Sequence, residues 1–213
     1  MVKDGMMERF GIEKVFGMHN MPSLPVGHFA IRPGPIMAAT AEFTITVKGR
    51  GGHAAMPHGT IDPIVIASQM VTALQTIASR SIDPIDSIVV SVTKFHAGDA
   101  YNVIPQSAEF AGTIRTLRNE VGEASRKRMR AICEGIASAH GATVDIDIDV
   151  NYPVTHNDPE ETIFVSDVAR TVAGDAAVHG AINPVMGGED FSYMLEARPG
   201  AFIFAGNGDT ANL

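Results

Sequence analysis

Positive charge is scarce in this sequence. Lys and Arg number 16 against 24 Asp and Glu, a formal net charge of −8 over 213 residues. A nucleic acid or an anionic membrane surface calls for a basic footprint, so neither is expected as a partner. The basic side chains that do cluster, Arg126, Lys127, Arg128 and Arg130, fall in a helical stretch and read as its solvated face. Cysteine is scarcer still. Cys133 stands alone, which rules out an internal disulfide and fits a reducing compartment. Its apolar neighbours make it a buried thiol rather than a nucleophile. No uninterrupted apolar run approaches the roughly 20 residues that span a bilayer. The first residues, MVKDGMMERFGIEKVFGM, carry charges throughout and lack the apolar core of a signal peptide, so a cytoplasmic location is expected. GxSxG, P-loop and GxGxxG motifs are missing too, which leaves serine-hydrolase and nucleotide-binding readings unsupported.

What is present is patterning. Hydrophobic residues make up 45% and charged residues 19%, the composition of a folded protein with one large domain or two small ones. In AEFTITVK, Phe43, Ile45 and Val47 alternate with polar residues, which predicts a half-buried strand. Asp62-Pro63 opens a helical run in which Ile64, Met70, Val71, Leu74 and Ile77 recur. SIVVSVTK (87–94) and residues 106–115 read as strands, the latter with Ala108, Phe110, Gly112 and Ile114 on one face. A helix over 120–140 and the strand TVDIDIDV (143–150) follow. The order is β-α-β-β-α-β, a ferredoxin-like arrangement whose helices would cover one sheet face. It is flanked by α/β pieces: the strand KVFGMHN ending at His19, a Pro/Gly-rich stretch, a helix near 160–173, a short helix from Phe191, and the apolar strand AFIFAG.

Several polar groups invite a chemical reading. Asp145, Asp147 and Asp149 have the spacing that opens an EF-hand loop, but Val150 and His156 stand where its Gly and Glu belong, so the alternation is that of a strand face. His53 and His58 lie on a bend, KGRGGHAAMPHG, whose glycines would let the backbone approach a ligand. Pro57 between them breaks any HExxH-like helix, so they do not make a metal site by themselves. His19 and Asn20 lie at the carboxyl end of a strand, where open α/β sheets gather ligands. Glu189 and Asp190 precede a short helix, where carboxylates also serve as caps.

Read in order, FGMHNMPSLPVG, GRGGHAAMPH with DPI, AGDAYNVIP, GTIRTLRNE and GGEDFSYM resemble the M20 family of metallopeptidases and amidohydrolases. The likeness is to its hippurate hydrolases, N-acyl-amino-acid amidohydrolases and indole-acetyl-amino-acid hydrolases. It implies an α/β catalytic domain with two divalent metals, zinc or manganese, in segments 1–37 and 151–213, interrupted at 38–150 by a ferredoxin-like lid that mediates homodimerisation. The implied substrate is a hippurate-like N-acyl amino acid, cleaved at its amide bond by metal-activated water with a glutamate as base. By the same resemblance His19 is a metal ligand, His53 a lid donor to the developing oxyanion, and Asn102 and Arg115 substrate contacts. Gly188 and Glu189 would line the pocket.

The family's Cys-Gly-His-Asp motif and catalytic glutamate pair lie upstream of the residue matched by His19, and the 18 residues that precede it here contain no Cys, no His and no adjacent Glu pair. Glu160-Glu161 is a pair in the wrong place. The family's last histidine ligand would follow Asn212-Leu213. The expectation is a chain truncated at both ends, which by itself neither holds a tight dinuclear site nor turns over substrate. The flanks would then expose apolar surface. A non-catalytic dimerisation or small-ligand-binding module derived from the family is the alternative.

Overall fold

Local sequence sets the element boundaries. The Asp62 carboxylate accepts the Ile64 N–H at 2.9 Å, and Pro63 takes the first helical position, where no N–H is needed. Asp158-Pro159 repeats the device, with Asp158 accepting the N–H groups of Glu160 and Glu161 at 2.9 and 3.1 Å. The computed structural model describes residues 1–208. Its elements run α1 (Met6–Arg9), β1 (Val15–Met21), β2 (Phe29–Ala30), β3 (Gly34–Met37), β4 (Ala39–Lys48), β5 (Gly52–His53), α2 (Pro63–Thr76), β6 (Ile88–His96) and β7 (Val103–Ile104). They continue β8 (Ser107–Thr116), α3 (Asn119–Ala139), β9 (Thr143–Tyr152), β10 (Thr155–Asn157), α4 (Pro159–Ala173), β11 (Val178–His179), α5 (Ser192–Ala197) and β12 (Gly200–Gly206). Two compact units result: Thr40–Asn151, and Met1–Ala39 together with Tyr152 onward.

The Thr40–Asn151 unit is a four-stranded sheet in the order β6-β8-β4-β9, with α2 and α3 packed together against it. The ferredoxin-like βαββαβ reading is thus the observed topology. The alternating residues Phe43, Ile45 and Val47 meet Ile66, Met70 and Leu74 of α2, Phe110 and Ile114 of β8, and Met129, Cys133 and Ala137 of α3 in one buried cluster. The other face is polar. Glu42, Thr44, Glu109, Asp145 and Asp147 are exposed there, and Lys48 pairs with Asp145. The three aspartates of DIDID are a strand face, as the alternation predicts. Two apolar residues depart from expectation. Ile64 is 37% exposed because the inward stripe of α2 runs through Ile66, Met70 and Leu74 instead, and Val150 is 47% exposed at the far end of an edge strand.

The other unit holds a sheet in the order β1-β12-β2-β11. Its central strand β12 is buried through Gly200–Phe204, with Phe202 and Phe204 joining Ala30, Ile36 and Met37 on one side. Ala201 and Ile203 join Ile31 and Ala169 of α4 on the other. A strand covered on both faces reads as a continuous apolar run, which is what AFIFAG is. The strand β1 does not stop at His19. It stays in parallel register with β12 through Asn20↔Ala205 and Met21↔Gly206, because β12 offers backbone partners that far. No helix among the described residues is long and apolar enough to cross a membrane.

Candidate functional site

Parallel pairing sets Gly17 opposite Phe202 and His19 opposite Phe204. Residues two apart on a strand share a face, so Gly17 and His19 point the same way. A Cβ at Gly17 would lie 2.7 Å from the Phe202 ring and 3.2 Å from Phe191, so only glycine lets these rings close in beside the histidine. The His19 and Phe202 ring centroids are 6.4 Å apart, those of Phe191 and Phe202 5.4 Å. The loop with Gly187–Asp190 is tied to β3. Val185 donates to the Ile36 carbonyl at 3.0 Å and Ala38 to the Gly187 carbonyl at 2.8 Å. Buried Ser192 donates its N–H and hydroxyl to the Glu189 carbonyl at 3.3 and 2.6 Å. The Glu189 side chain then sits with Oε2 3.2 Å from His19 Nδ1 and Oε1 3.5 Å from the Phe191 N–H. Gly188 is half-buried in the same loop.

Within the Thr40–Asn151 unit, the histidine bend is shaped differently from expectation. A Cβ at Gly49 would fall 2.1 Å from the Ile61 carbonyl oxygen, and one at Gly51 2.5 Å from that of Ile104. These glycines press the bend against its own neighbouring backbone rather than toward a ligand. They allow the Arg50–Ile61 bridge and the antiparallel pairs Gly52↔Ile104 and His53↔Val103. That pairing presents His53 exposed, next to the Asn102 loop, whose carbonyl accepts the Ala54 N–H at 2.9 Å. His53 Nδ1 accepts the Ala55 N–H at 3.1 Å. His58 is exposed in a single 3₁₀ turn. Arg115 lies on the sheet face away from the helices, its Nε donating to Thr113 Oγ1 at 2.9 Å, while that hydroxyl donates to the Ala41 carbonyl at 3.1 Å. A cleft of about 730 Å³ runs along Phe95–Ala100, Val103 and Pro105–Ser107; residues of AGDAYNVIP line it, but His53, Asn102 and Arg115 do not.

The structure thus brings His19 together with Glu189 in one unit, and His53 together with Asn102 in the other. The direct His19–Glu189 contact carries no local sequence signal, because the partners are far apart in the chain. As donors for a metal, His19 fits as one ligand through its outward ring nitrogen. Among the described residues, no group of three or more His, Cys, Asp or Glu side chains could hold an ion. The described donors fit one ligand of a metal site and do not among themselves complete a dinuclear centre. Asn212-Leu213, which the resemblance sets just before the family's last ligand, lie outside the described residues.

Residues 39–141, spanning most of the ferredoxin-like insert, match the model of the peptidase dimerisation domain. The chain belongs to the M20 family of metallopeptidases and amidohydrolases. It is 40% identical to N-acetylcysteine deacetylase of Bacillus subtilis, with 94% of this chain and 52% of that protein covered. Identity to hippurate hydrolase of Campylobacter jejuni is 39%, covering 97% of this chain and 54% of that protein. A crystal structure described as a dinuclear metal binding peptidase of the M20 family, from B. subtilis, superposes with a TM-score of 0.80 at 32% identity, covering 100% of this chain and 52% of that one. The chain spans about half the length of the curated relatives it matches.

Proposed function

We propose that this chain is part of a metal-dependent amidohydrolase that cleaves the amide bond of hippurate-like N-acyl amino acids. Segments 1–37 and 151–213 would belong to the catalytic domain and 38–150 to the lid. A pair of divalent ions, zinc or manganese, supplies carbonyl polarisation and activated water in such enzymes. His19 would hold one ion through Nε2. Asn102, Arg115 and the Gly188–Glu189 loop would contact substrate, Arg115 through a guanidinium suited to a carboxylate.

The observation that supports this reading most directly is the Ala55 N–H held by His53 Nδ1 at 3.1 Å. A neutral imidazole has one N–H and one acceptor nitrogen. Because Nδ1 accepts the Ala55 N–H, the proton resides on Nε2 and can be given to an oxyanion. Such a donor is worth about 2.7–4 kcal/mol in the transition state. The relatives' names, a deacetylase and a hippurate hydrolase, support the same bond class.

The test replaces the matching half of B. subtilis N-acetylcysteine deacetylase with this chain. The chimera should hydrolyse N-acyl amino acids in a chelator-sensitive manner, and His53→Ala should lower its kcat roughly 10²–10³-fold. Unchanged kcat in the folded variant would refute the His53 role. The 213-residue chain alone should retain neither two ions nor enzymatic turnover, and robust chelator-insensitive turnover would overturn the assignment. Failure of a folded chimera to hydrolyse any N-acyl amino acid would favour the non-catalytic module.

A homodimer through the dimerisation-domain unit accompanies this reading, supported by the family match over 39–141 and by two sheet edges, β6 and β9. Light scattering at micromolar concentration should give twice the monomer mass. A monomer throughout would count against it.

A further inference from the structure

Glu189 stands where a pocket-lining residue was expected, yet its geometry suits it poorly to touching substrate. The side chain is 18% exposed, and both carboxylate oxygens face donors of the chain itself, His19 Nδ1 and the Phe191 N–H. A carboxylate is also the wrong charge for the carboxylate end of an N-acyl amino acid. We infer that Glu189 is a positioning residue: its carboxylate fixes the proton of His19 on Nδ1 and aims the Nε2 lone pair outward. The inference rests on the reading of His19 as a metal ligand and replaces a substrate contact by Glu189 with this task.

An ionised carboxylate only accepts and repels a nitrogen lone pair turned toward it, so a neutral His19 whose Nδ1 lies 3.2 Å from Glu189 Oε2 is biased to carry its N–H on Nδ1. Free neutral histidine prefers the proton on Nε2, where it would block ligation. The carboxylate therefore holds the ring in its less favoured tautomer, the one with a lone pair to give. The support reaches further back. Both Ser192 donors anchor the Glu189 carbonyl, Val185 and Ala38 tie the loop to β3, and the bare Cα of Gly17 lets Phe202 and Phe191 pack alongside. His53 is held the opposite way, with its acceptor nitrogen occupied and its N–H outward. A ligand and an oxyanion donor need just these opposite settings.

The experiment uses the ¹⁵N-labelled 213-residue chain without metal, at a pH where the imidazole is neutral. Two-bond ¹H–¹⁵N correlations report the tautomer, and the His19 signals are assigned by their loss in His19→Gln. In the wild type the Nδ1–H form should be the majority. Glu189→Gln keeps an acceptor and should keep that majority, whereas Glu189→Ala should convert it to Nε2–H. A purely structural contact would not move this readout. An Nε2–H majority in the wild type, or no change in Glu189→Ala, overturns the inference, and the first of these needs no variant to fold. A zinc titration followed at the His19 signals separates the two readings. Weakening by roughly 10–100-fold in Glu189→Ala supports both. A tautomer that follows Glu189 while zinc leaves His19 untouched keeps the positioning role and removes the metal role.

Discussion

Cys133 lies on the inward face of α3 in the same cluster as Met129, Ala137 and Leu74, fully shielded from solvent. Burial, with a smaller contribution from the Glu134 charge, pushes its thiol from 9.0 up to about 12. The folded chain keeps this proton where the unfolded chain loses it, so unfolding releases a proton and stability falls as pH rises from about 9 toward 12. Lys14 acts in the same direction. Hydrogen bonding to Glu161 raises its ammonium above 10.5, so its contribution is complete below that value and is lost above it. The expected outcome is a urea midpoint that declines above pH 9, and declines less in Cys133→Ala. At pH 8 a thiol reagent should label the chain only after unfolding. Rapid labelling of the native chain would mean that the thiol is not buried. The thiol's burial was legible from its apolar neighbours. The role of Gly49 and Gly51 was not, because a sequence shows that a backbone can come close without showing to what. Nor was the His19–Glu189 contact, which exists only once β12 and the strapped loop set the two residues side by side.

At the level of elements, legibility followed length. The strands β4, β8 and β9 and the helices α2, α3 and α4 each repeat their period several times, and Asp62-Pro63 and Asp158-Pro159 cap α2 and α4. A cap of this kind contributes about 1 kcal/mol. The short strands β2, β5, β7 and β11 have two residues each, too few for any alternation, and tertiary pairing alone defines them. Glu160-Glu161 acquires a plain explanation here. The pair fills the first turn of α4, where negative charge complements the helix dipole, and Glu161, only 5% exposed, meets Lys14 Nζ at 2.5 Å. Asn157 is a second device invisible beforehand. Its buried carboxamide donates to the Arg32 and Phe202 carbonyls, both at 2.9 Å, and accepts the Phe202 N–H at 2.7 Å. Three backbone groups, one on Arg32 and two on Phe202, are satisfied by one side chain, which fastens β10 to the central strand next to the His19 face.

Across the whole molecule the two units differ in how completely they bury what is apolar. The ferredoxin-like unit turns polar residues outward from its sheet. The helix α4 of the other unit is apolar on two sides. Val165 and Ala169 pack inward with Ile31 and Ile203, whereas Phe164, Val168 and Val172, spaced four apart, remain exposed on another side. Phe16 and Met18 of the edge strand β1 are exposed as well, and the Phe16 and Phe164 rings lie 5.7 Å apart, so strand and helix contribute to one patch. A surface helix normally has one apolar stripe, and a contiguous exposed patch of this kind marks surface suited to being covered. The chain should therefore bind a hydrophobic dye such as ANS in its native state and associate further as concentration rises. Replacing Phe164, Val168 and Val172 together by serine should remove most of that fluorescence and leave the far-ultraviolet circular dichroism and the alkaline behaviour of Cys133 unchanged, since the thiol belongs to the other unit. Dye binding that survives the triple substitution would place the exposed apolar surface elsewhere and leave the second apolar side of α4 without a consequence.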